Sequence, residues 1–412
     1  MNRGVGPELQ LPPGVAGKGS HDGRIDFVDH SIGEKFAMQH LLPPEEEIAK
    51  LLNFVTVNEA SDLHLKVGYP PTVRVGGHLR RIDSPPLPNS EYIEQMMAAI
   101  MPPSKRAQYD ERGGVDFAAR SASGDRFRVN AFRSEGEMHA ALRRVQSRIP
   151  DFEELHLPDV YRQTIIQSLE GLILISGVTG SGKSSTLAAM LKYVNAHRSL
   201  HIITIEDPIE YSFKPDKCII SQREIGIDVV DFAEALRFVV RQDPDCIMIG
   251  EMRDKETMLA ALQAAETGHL VLGSIHCNDA EQTFSRILEF FDHSEHAFIR
   301  SSLANSLKAI MVQRLIPGIE EGTRFPATEV LLNNSIVKEK IVHEEDEDIP
   351  AILHACREEG MRDFTQSLYE LVEQMRITRE VAMDYAPNRD ALRSRFKGID
   401  TASEGLISRV RS

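Results

Sequence analysis

A glycine-rich segment offers the clearest phosphate chemistry in this sequence. GVTGSGKS, residues 177–184, fits the pattern G-x-x-x-x-G-K-[ST], and it lies between an apolar run and an amphipathic helical pattern. Such a loop turns its backbone N–H groups toward phosphate oxygens, while the lysine reaches the β/γ-phosphates and the serine hydroxyl is a Mg²⁺ ligand. We therefore predict ATP and Mg²⁺ as ligands. The predicted nucleotide-binding residues are Gly177, Thr179, Gly180, Ser181, Gly182, Lys183, Ser184 and Ser185.

Acidic residues follow two other apolar runs. CIMIGEMRD, residues 246–254, passes from a buried-strand pattern to Glu251, and HIITIEDPIEY, residues 201–211, ends in acids that include Glu210. In a parallel sheet the carboxyl ends of the strands share one edge, where ligands bind. We predict that Glu251 orients or deprotonates the attacking water and, with Ser184, helps hold the metal. Glu210 is a second candidate for metal or water; a hydrogen-bonded acid at a helix start is the simpler alternative for Glu251.

Two histidines bracket the run HLVLGSIH, which begins at His269 and ends at His276. We expect His276 to sense the γ-phosphate from the end of its strand, and we assign His269 a similar role. A histidine at a strand end is equally compatible with a structural role, so both interpretations stay open.

Arginines are dense in the strand-like segments of the N-terminal part: Arg126, Arg128, Arg133, Arg143 and Arg144. A phosphate-loop site often receives an arginine from a neighbouring subunit, which neutralises charge that develops during phosphoryl transfer. We predict that one or two of these arginines lie across a subunit boundary, at a neighbour's nucleotide. Exposed strand faces that need no partner are the alternative.

The elements that must position these groups follow from hydrophobic patterning. Between residues 165 and 335, apolar runs of four to seven residues alternate with helical patterns, which predicts a parallel sheet with helical crossovers. Residues 44–148 combine helical spacing with alternating strands and turn signals, which predicts a small α/β domain on an antiparallel sheet. We predict a flexible tail (1–43), an N-terminal domain (44–148), a linker (149–164), an ATPase domain (165–345) and a C-terminal helical region (346–412). The acidic run HEEDED, 343–348, is expected to be a solvated loop.

Composition narrows the class of protein. Of the 412 residues, 47 are Lys or Arg and 62 are Asp or Glu, so the formal net charge is −15, which disfavours general binding of nucleic acid. Four cysteines lie far apart without a C-x-x-C pair, which suits a reducing cytosol. No apolar run reaches the ~18 residues of a membrane helix. We expect a cytoplasmic protein that meets the membrane only through partners.

The four motifs together resemble those of the secretion ATPases of bacterial type II and type IV machines, and most of all the pilus-retraction branch. The corresponding segments are GVTGSGKSST, ITIEDPIEY, DCIMIGEMRD and AAETGHLVLGSIHCNDA, and the likeness extends over residues ~45–400. It implies a PAS-like N-terminal domain joined to a RecA-like phosphate-loop core, a homohexameric ring, and a platform protein of the inner membrane as partner. It also implies catalytic roles for Glu251, Glu210, His276 and His269, with Arg126, Arg128 and Arg143 at the arginine positions.

Two departures bear on the role within that family. The C-x-x-C zinc site usual in extension-type ATPases has no counterpart, which favours retraction. The C-terminal segment of retraction ATPases, AIRNLIREGK-like, corresponds here to SIVKEKIVHEEDED, which keeps little of it. A pilus-retraction motor, an accessory pilus motor and a type IV secretion ATPase all stay open. A RecA-like nucleic-acid motor and a small-molecule kinase are remoter alternatives.

Overall fold

A computed structural model describes residues 41–145 and 147–399. The predicted tail therefore lies outside the described residues, apart from its last three positions, as do the final thirteen residues of the predicted C-terminal region. The chain divides after Val145 into two compact units. Within the described ranges no helix is long and apolar enough to cross a bilayer.

The N-terminal unit is built on an antiparallel sheet, as the alternating pattern predicts. Its strands lie in the order β3-β2-β1-β6-β5-β4, and each neighbouring pair is antiparallel. In the described part of this unit the strands are β1 (Asp62–Leu65), β2 (Thr72–Val75), β3 (His78–Arg81), β4 (Gly114–Arg120), β5 (Arg126–Ser134) and β6 (Glu137–Arg144).

Helices cover this sheet with the faces that the sequence pattern indicates. They are α1 (Pro44–Val57), α2 (Ser90–Ala98) and α3 (Pro103–Arg112). In α1 the residues at helical spacing, Ile48, Leu51, Leu52 and Val55, are all buried, and three glutamates occupy the first turn, where the helix dipole favours negative charge. The side chain of Asn89 caps α2 by accepting a hydrogen bond from the backbone N–H of Tyr92.

The C-terminal unit contains the predicted parallel sheet. The strand order is β13-β12-β7-β11-β10-β8-β9; every neighbouring pair is parallel except β12 and β13. Its strands in the described chain are β7 (Gly171–Ser176), β8 (His201–Glu206), β9 (Ile219–Glu224), β10 (Cys246–Ile249), β11 (Leu270–Ile275), β12 (Leu307–Pro317) and β13 (Arg324–Leu332). Strands β9, β12 and β13 were not among the predicted elements.

Helices lie on both faces of this sheet, which explains why its central strands are apolar throughout. In β7, Leu172 and Leu174 belong to one hydrophobic cluster, while Ile173 and Ile175 belong to another on the opposite face. All four side chains are fully buried. Alternate residues of a strand point to opposite faces, so a strand covered on both sides needs an unbroken apolar run.

The helices of this unit extend to the end of the described chain, and the C-terminal part is helical as predicted. They are α4 (Val160–Gln167), α5 (Lys183–His197), α6 (Phe232–Val239), α7 (Lys255–Glu266), α8 (Ala280–Leu288), α9 (His296–Ser306), α10 (Ser335–His343), α11 (Ile349–Ala355), α12 (Phe364–Glu373), α13 (Arg379–Tyr385) and α14 (Arg389–Phe396). Helix α4 begins inside the stretch predicted as a linker.

The acidic run is not a simple solvated loop. Asp346 forms a two-pronged contact with the guanidinium of Arg300, at 2.8 and 2.6 Å, and the Arg300 side chain is only 9% exposed. Lys340 contacts Asp348 at 2.8 Å. The expectation of a solvated loop was wrong at these positions because each acid neutralises a cation that the helices leave largely buried. The remaining acids of the run, Glu344, Glu345 and Glu347, are exposed.

Candidate active site

One edge of the parallel sheet gathers the predicted site residues. Strands β7, β8, β10 and β11 run in the same direction, so their carboxyl ends meet at this edge. The phosphate loop follows β7, Glu206 ends β8, Glu251 follows β10 and His276 follows β11. A cavity of about 540 Å³ opens there. Its lining includes Thr179, Gly180, Gly182, Lys183, Ser184, Ser185, Glu206, Glu210, Glu251 and His276.

The buried side-chain amide of Gln313, on β12, supports the phosphate loop. Gln313 Nε2 donates to the carbonyl of Ser181 (2.8 Å), and its Oε1 accepts from the Thr186 hydroxyl (3.0 Å). Gly177 has a φ of +147°, and a Cβ there would lie 2.5 Å from the carbonyl oxygen of Gln313. Glycine is required at that position because any side chain would push the loop away from β12.

Lys183, the first residue of α5, bridges the loop and β11. Its ammonium donates to the carbonyls of Gly177 (2.8 Å) and Val178 (3.2 Å) and lies 3.4 Å from Nδ1 of His276. Burial lowers the pKa of Lys183, although the charges of Glu251 and Glu210 act in the opposite direction. The Lys183 ammonium therefore donates to groups whose place phosphate oxygens can take as hydrogen-bond acceptors.

Glu251 lies at the centre of a short polar chain. Its Oε1 is 3.1 Å from Nε2 of His276, and its Oε2 accepts from Arg253 at 2.5 Å. Because the Lys183 ammonium can only donate to Nδ1, the neutral tautomer of His276 with its proton on Nε2 satisfies both contacts. Burial raises the pKa of Glu251, but the hydrogen bond from Arg253 and the positive charges of Arg253 and Lys183 outweigh it. The net pKa is below its usual value, which keeps the carboxylate ionised.

The segment between β8 and β9 contacts the start of α5. Glu210 Oε1 accepts from the Ser184 hydroxyl at 2.9 Å, and the hydroxyls of Tyr211 and Ser185 lie 2.8 Å apart. Mg²⁺ prefers oxygen ligands and is usually bound by one or two protein groups together with substrate phosphates. The oxygens of Ser184, Glu210 and Glu251 around one cavity fit such an ion.

Glu206, the last residue of β8, is deeply buried and only 6% exposed. Its Oε1 accepts from the Thr204 hydroxyl (2.6 Å) and from Nε2 of Gln222 (3.2 Å). Burial nevertheless raises its pKa to about 7. A carboxyl group in this environment is more easily protonated than an exposed one, because the surroundings solvate its charge poorly.

Four predicted site residues lie elsewhere. His269 precedes β11 and is seven residues from His276, so it lies ~23 Å away, at the opposite edge of the sheet. There its Nδ1 contacts the Ala264 carbonyl (3.0 Å) and the Thr267 hydroxyl (3.2 Å). Within one chain His269 is therefore distant from the cavity, as expected for residues at opposite ends of one strand, and its sensing role stays a prediction. The remaining three are the arginines of the N-terminal unit.

Those arginines lie on β5 and β6. Arg128 is 3.8 Å from Asp116, and Arg143 donates to Asp62 at 2.8 Å while its side chain stays 72% exposed. Arg126 begins β5, opposite Arg120 of β4. Their role at a neighbour's nucleotide stays a prediction.

Two members of the predicted phosphate loop do not line the site cavity. Gly177 packs against the backbone of β12 at Gln313. Ser181 lines a second cavity of about 600 Å³. Sequence reasoning missed Arg253, Tyr211 and Gln313. Arg253 and Tyr211 come four and five residues after the ends of β10 and β8, a signal that a search for acids and histidines passed over. Gln313 carries no local signal.

Comparison with known proteins identifies relatives of this chain. The family described as "Type II/IV secretion system protein" matches residues 38–406. The chain is 38% identical to the type IV pilus ATPase PilU of Pseudomonas aeruginosa over 88% of its own length and 94% of the relative's. It is 39% identical to the pilus retraction ATPase PilT of the same organism, over 82% and 98% of the two chains.

A solved structure resembles the fold as well. The crystal structure of the pilus retraction motor PilT with bound ADP superimposes with a TM-score of 0.77 at 40% identity, covering 84% of this chain and 98% of the other. The similarity covers more residues than either unit contains, so it is not limited to the phosphate-loop motif.

Proposed function

This chain belongs to the type II/IV secretion system protein family, and from that membership we propose that it is a homohexameric mechanical ATPase that powers type IV pilus retraction and twitching motility. The observation that carries the proposal is the contact chain from Lys183 through His276 to Glu251 across one cavity. A cation suited to bind phosphate and an acid suited to activate water thus line the same cavity, joined through one histidine, and hydrolysis of a nucleoside triphosphate requires both.

Binding of ATP uses the phosphate loop and the first turn of α5. Lys183 exchanges the carbonyls of Gly177 and Val178 for the β- and γ-phosphate oxygens, and the N-terminal end of α5 faces the same negative charge. Ser184, Glu251 and Glu210 would hold Mg²⁺. The ion, when bound, neutralises charge on the transferring phosphoryl group.

Hydrolysis uses the acid and the histidine at the neighbouring strand ends. Glu251 orients the attacking water and accepts its proton. Because the pKa of Glu251 is low, the carboxylate takes up this proton only while the phosphoryl group is being transferred to the water. His276 turns its Nε2–H from Glu251 toward the γ-phosphate, so its position reports whether that phosphate is present. Arg126, Arg128 and Arg143 of the adjacent subunit supply further positive charge.

The motor would act in the cytoplasm at the inner membrane, where a platform protein of the pilus machine receives the movement. Two related roles compete with retraction itself. An accessory pilus motor is favoured by the match to PilU, which extends over more of this chain than the match to PilT. A type IV secretion machine is the other. The net charge of −15 argues against a nucleic-acid motor.

Replacement of Glu251 by glutamine tests the proposed chemistry. Glu251→Gln is expected to lower the rate of phosphate release by ~10²-fold or more, because the water loses its base, while nucleotide affinity is retained. Glu266→Gln, an exposed acid at the end of α7, is the matched control. Mass in solution, measured with and without ATP, should give a hexamer for both. Phosphate release near the parent's rate by Glu251→Gln would sink the proposal.

A further inference from the structure

The acid and tyrosine that contact the start of α5 sit on a segment with no regular secondary structure of its own. Glu210 and Tyr211 lie between the end of β8 at Glu206 and the start of β9 at Ile219. Both side chains line the site cavity. Tyr211 forms only a single β-bridge, so no continuous helix or strand fixes their position.

The side chain of Gln222, on β9, supplies that fixation. Its Nε2 donates to the carbonyl of Tyr211 (2.8 Å) and to Oε1 of Glu206 (3.2 Å), and its Oε1 accepts from the backbone N–H of Phe213 (3.0 Å). Both amide hydrogens and one acceptor position are thus used. Gln222 is half-buried and does not line the cavity itself.

The geometry is that of a missing strand partner. One amide accepts from the N–H of residue 213 and donates to the C=O of residue 211, as a peptide group of an adjacent strand does. The orientation of the amide is unique, because exchanging its oxygen and nitrogen would set donor against donor at Phe213 and acceptor against acceptor at Tyr211. An apolar side chain cannot replace these contacts, and an asparagine is one methylene too short to make all three.

The contacts continue on both sides of Gln222. On one side they end at Glu206, which is fixed in the sheet by Thr204. On the other, Tyr211 reaches Ser185 and the adjacent Glu210 reaches Ser184. We propose that Gln222 is a positioning residue for phosphoryl transfer: it ties the segment 207–213 to β8 and β9, so that Glu210 is held against the Mg²⁺-binding serine. This inference rests on the proposed function.

Gln222→Met tests it, because methionine keeps the length of the side chain and removes every hydrogen bond. We expect kcat to fall ~10- to 100-fold with KM for ATP changed less than ~3-fold, since the phosphate loop is untouched. ADP affinity in the presence of EDTA should stay as in the parent. Gln263→Met, at an exposed position of α7, is the control.

Two further measurements separate positioning from a general loss of stability. Hydrogen exchange of the 207–213 backbone should accelerate in Gln222→Met, while exchange of α5 and β10 stays unchanged. In a Glu210→Gln background, Gln222→Met should add less than ~3-fold to the loss, because both changes act through the same acid. Gln222→Asn serves as the second variant if methionine impairs folding, with the same losses expected.

Unchanged kcat together with unchanged hydrogen exchange of residues 207–213 would overturn the inference. So would a double variant, Glu210→Gln with Gln222→Met, whose loss in kcat equals the product of the two single losses. The outcome is distinguishable from failure of the proposed function. If Glu251→Gln abolishes turnover while Gln222→Met does not change it, the motor chemistry stands and only the positioning role fails. If Glu251→Gln keeps its turnover, the catalytic assignment fails whatever Gln222 does.

Discussion

The two edges of the parallel sheet contain the same kinds of residue and use them differently. At the amino edge, the backbone N–H of His201 donates to Asp245 (2.8 Å), the His201 ring contacts the carbonyl of Asp243, and His269 contacts that of Ala264. These contacts satisfy backbone hydrogen-bonding groups in the loops that lead into the strands. At the carboxyl edge, His276 and Glu251 contact each other and line a cavity.

The difference follows from the direction of the strands. At the carboxyl edge the chain leaves β7 through a glycine-rich loop and enters α5, whose N-terminal backbone N–H groups have no partners within the helix. Polar side chains there surround a space that favours an anion. At the amino edge the connections arrive from helix ends, and polar side chains complete the hydrogen bonds of the chain itself. Residue type alone therefore does not identify a site. The position of the residue at the carboxyl or the amino end of its strand does.

The largest expected effect is at Lys183, where the carboxyl edge loses its phosphate-binding cation. Lys183→Ala should weaken ATP binding by ~10²-fold or more and reduce hydrolysis to background, because no other ammonium of the phosphate loop replaces it. Equilibrium binding of a fluorescent nucleotide measures the first effect. Lys192→Ala, an exposed position later in α5, should bind like the parent; equal losses in both variants would mean that the helix and not the site was damaged.

The two histidines provide the most direct test of the comparison itself. His276→Asn should lower kcat by ~10- to 100-fold, because it breaks the contacts with Lys183 and Glu251. His269→Asn should change kcat less than ~3-fold, because His269 is distant from the cavity of its own subunit. Phosphate release at saturating ATP measures both. An equal loss for His269→Asn in assembled rings would show that the amino edge takes part in a neighbour's site.

A smaller effect, on stability, is expected at Glu206. Its folded pKa is about 7, above the 4.5 of an unperturbed glutamate. The protonated form is thus favoured in the fold, and this contribution to stability is complete below about pH 4.5 and is lost as the pH rises through 7. Glu206→Gln should remove that loss, so its Tm relative to the parent should increase between pH 5 and pH 8. Thermal melts of both proteins, with Glu266→Gln as the surface-charge control, check the sign; a difference that shrinks over this range contradicts it.

Local patterns were sufficient for most of the architecture. The apolar runs of β7, β8, β10 and β11, the helices between them and the alternating strands β4 to β6 were all predicted, because each has a period that reflects the faces it buries. The phosphate loop was also recognisable, since its chemistry resides in consecutive residues. Strands β9, β12 and β13 were missed: β9 is half polar, and β12 and β13 pair with each other along an edge that the pattern did not reveal.

What the sequence by itself determined is the set of chemical groups at each strand end and the alternation of strands and helices that brings four of those ends to one edge. What only the tertiary structure decided is the support of that edge. Gln313 contacts Thr186 across 127 residues of chain, and Gln222 ties Tyr211 to Glu206 from a strand that was not predicted. Neither glutamine has a local signature, because the partner of a side-chain amide depends on which strands become neighbours, and strand order is settled by packing of the whole sheet.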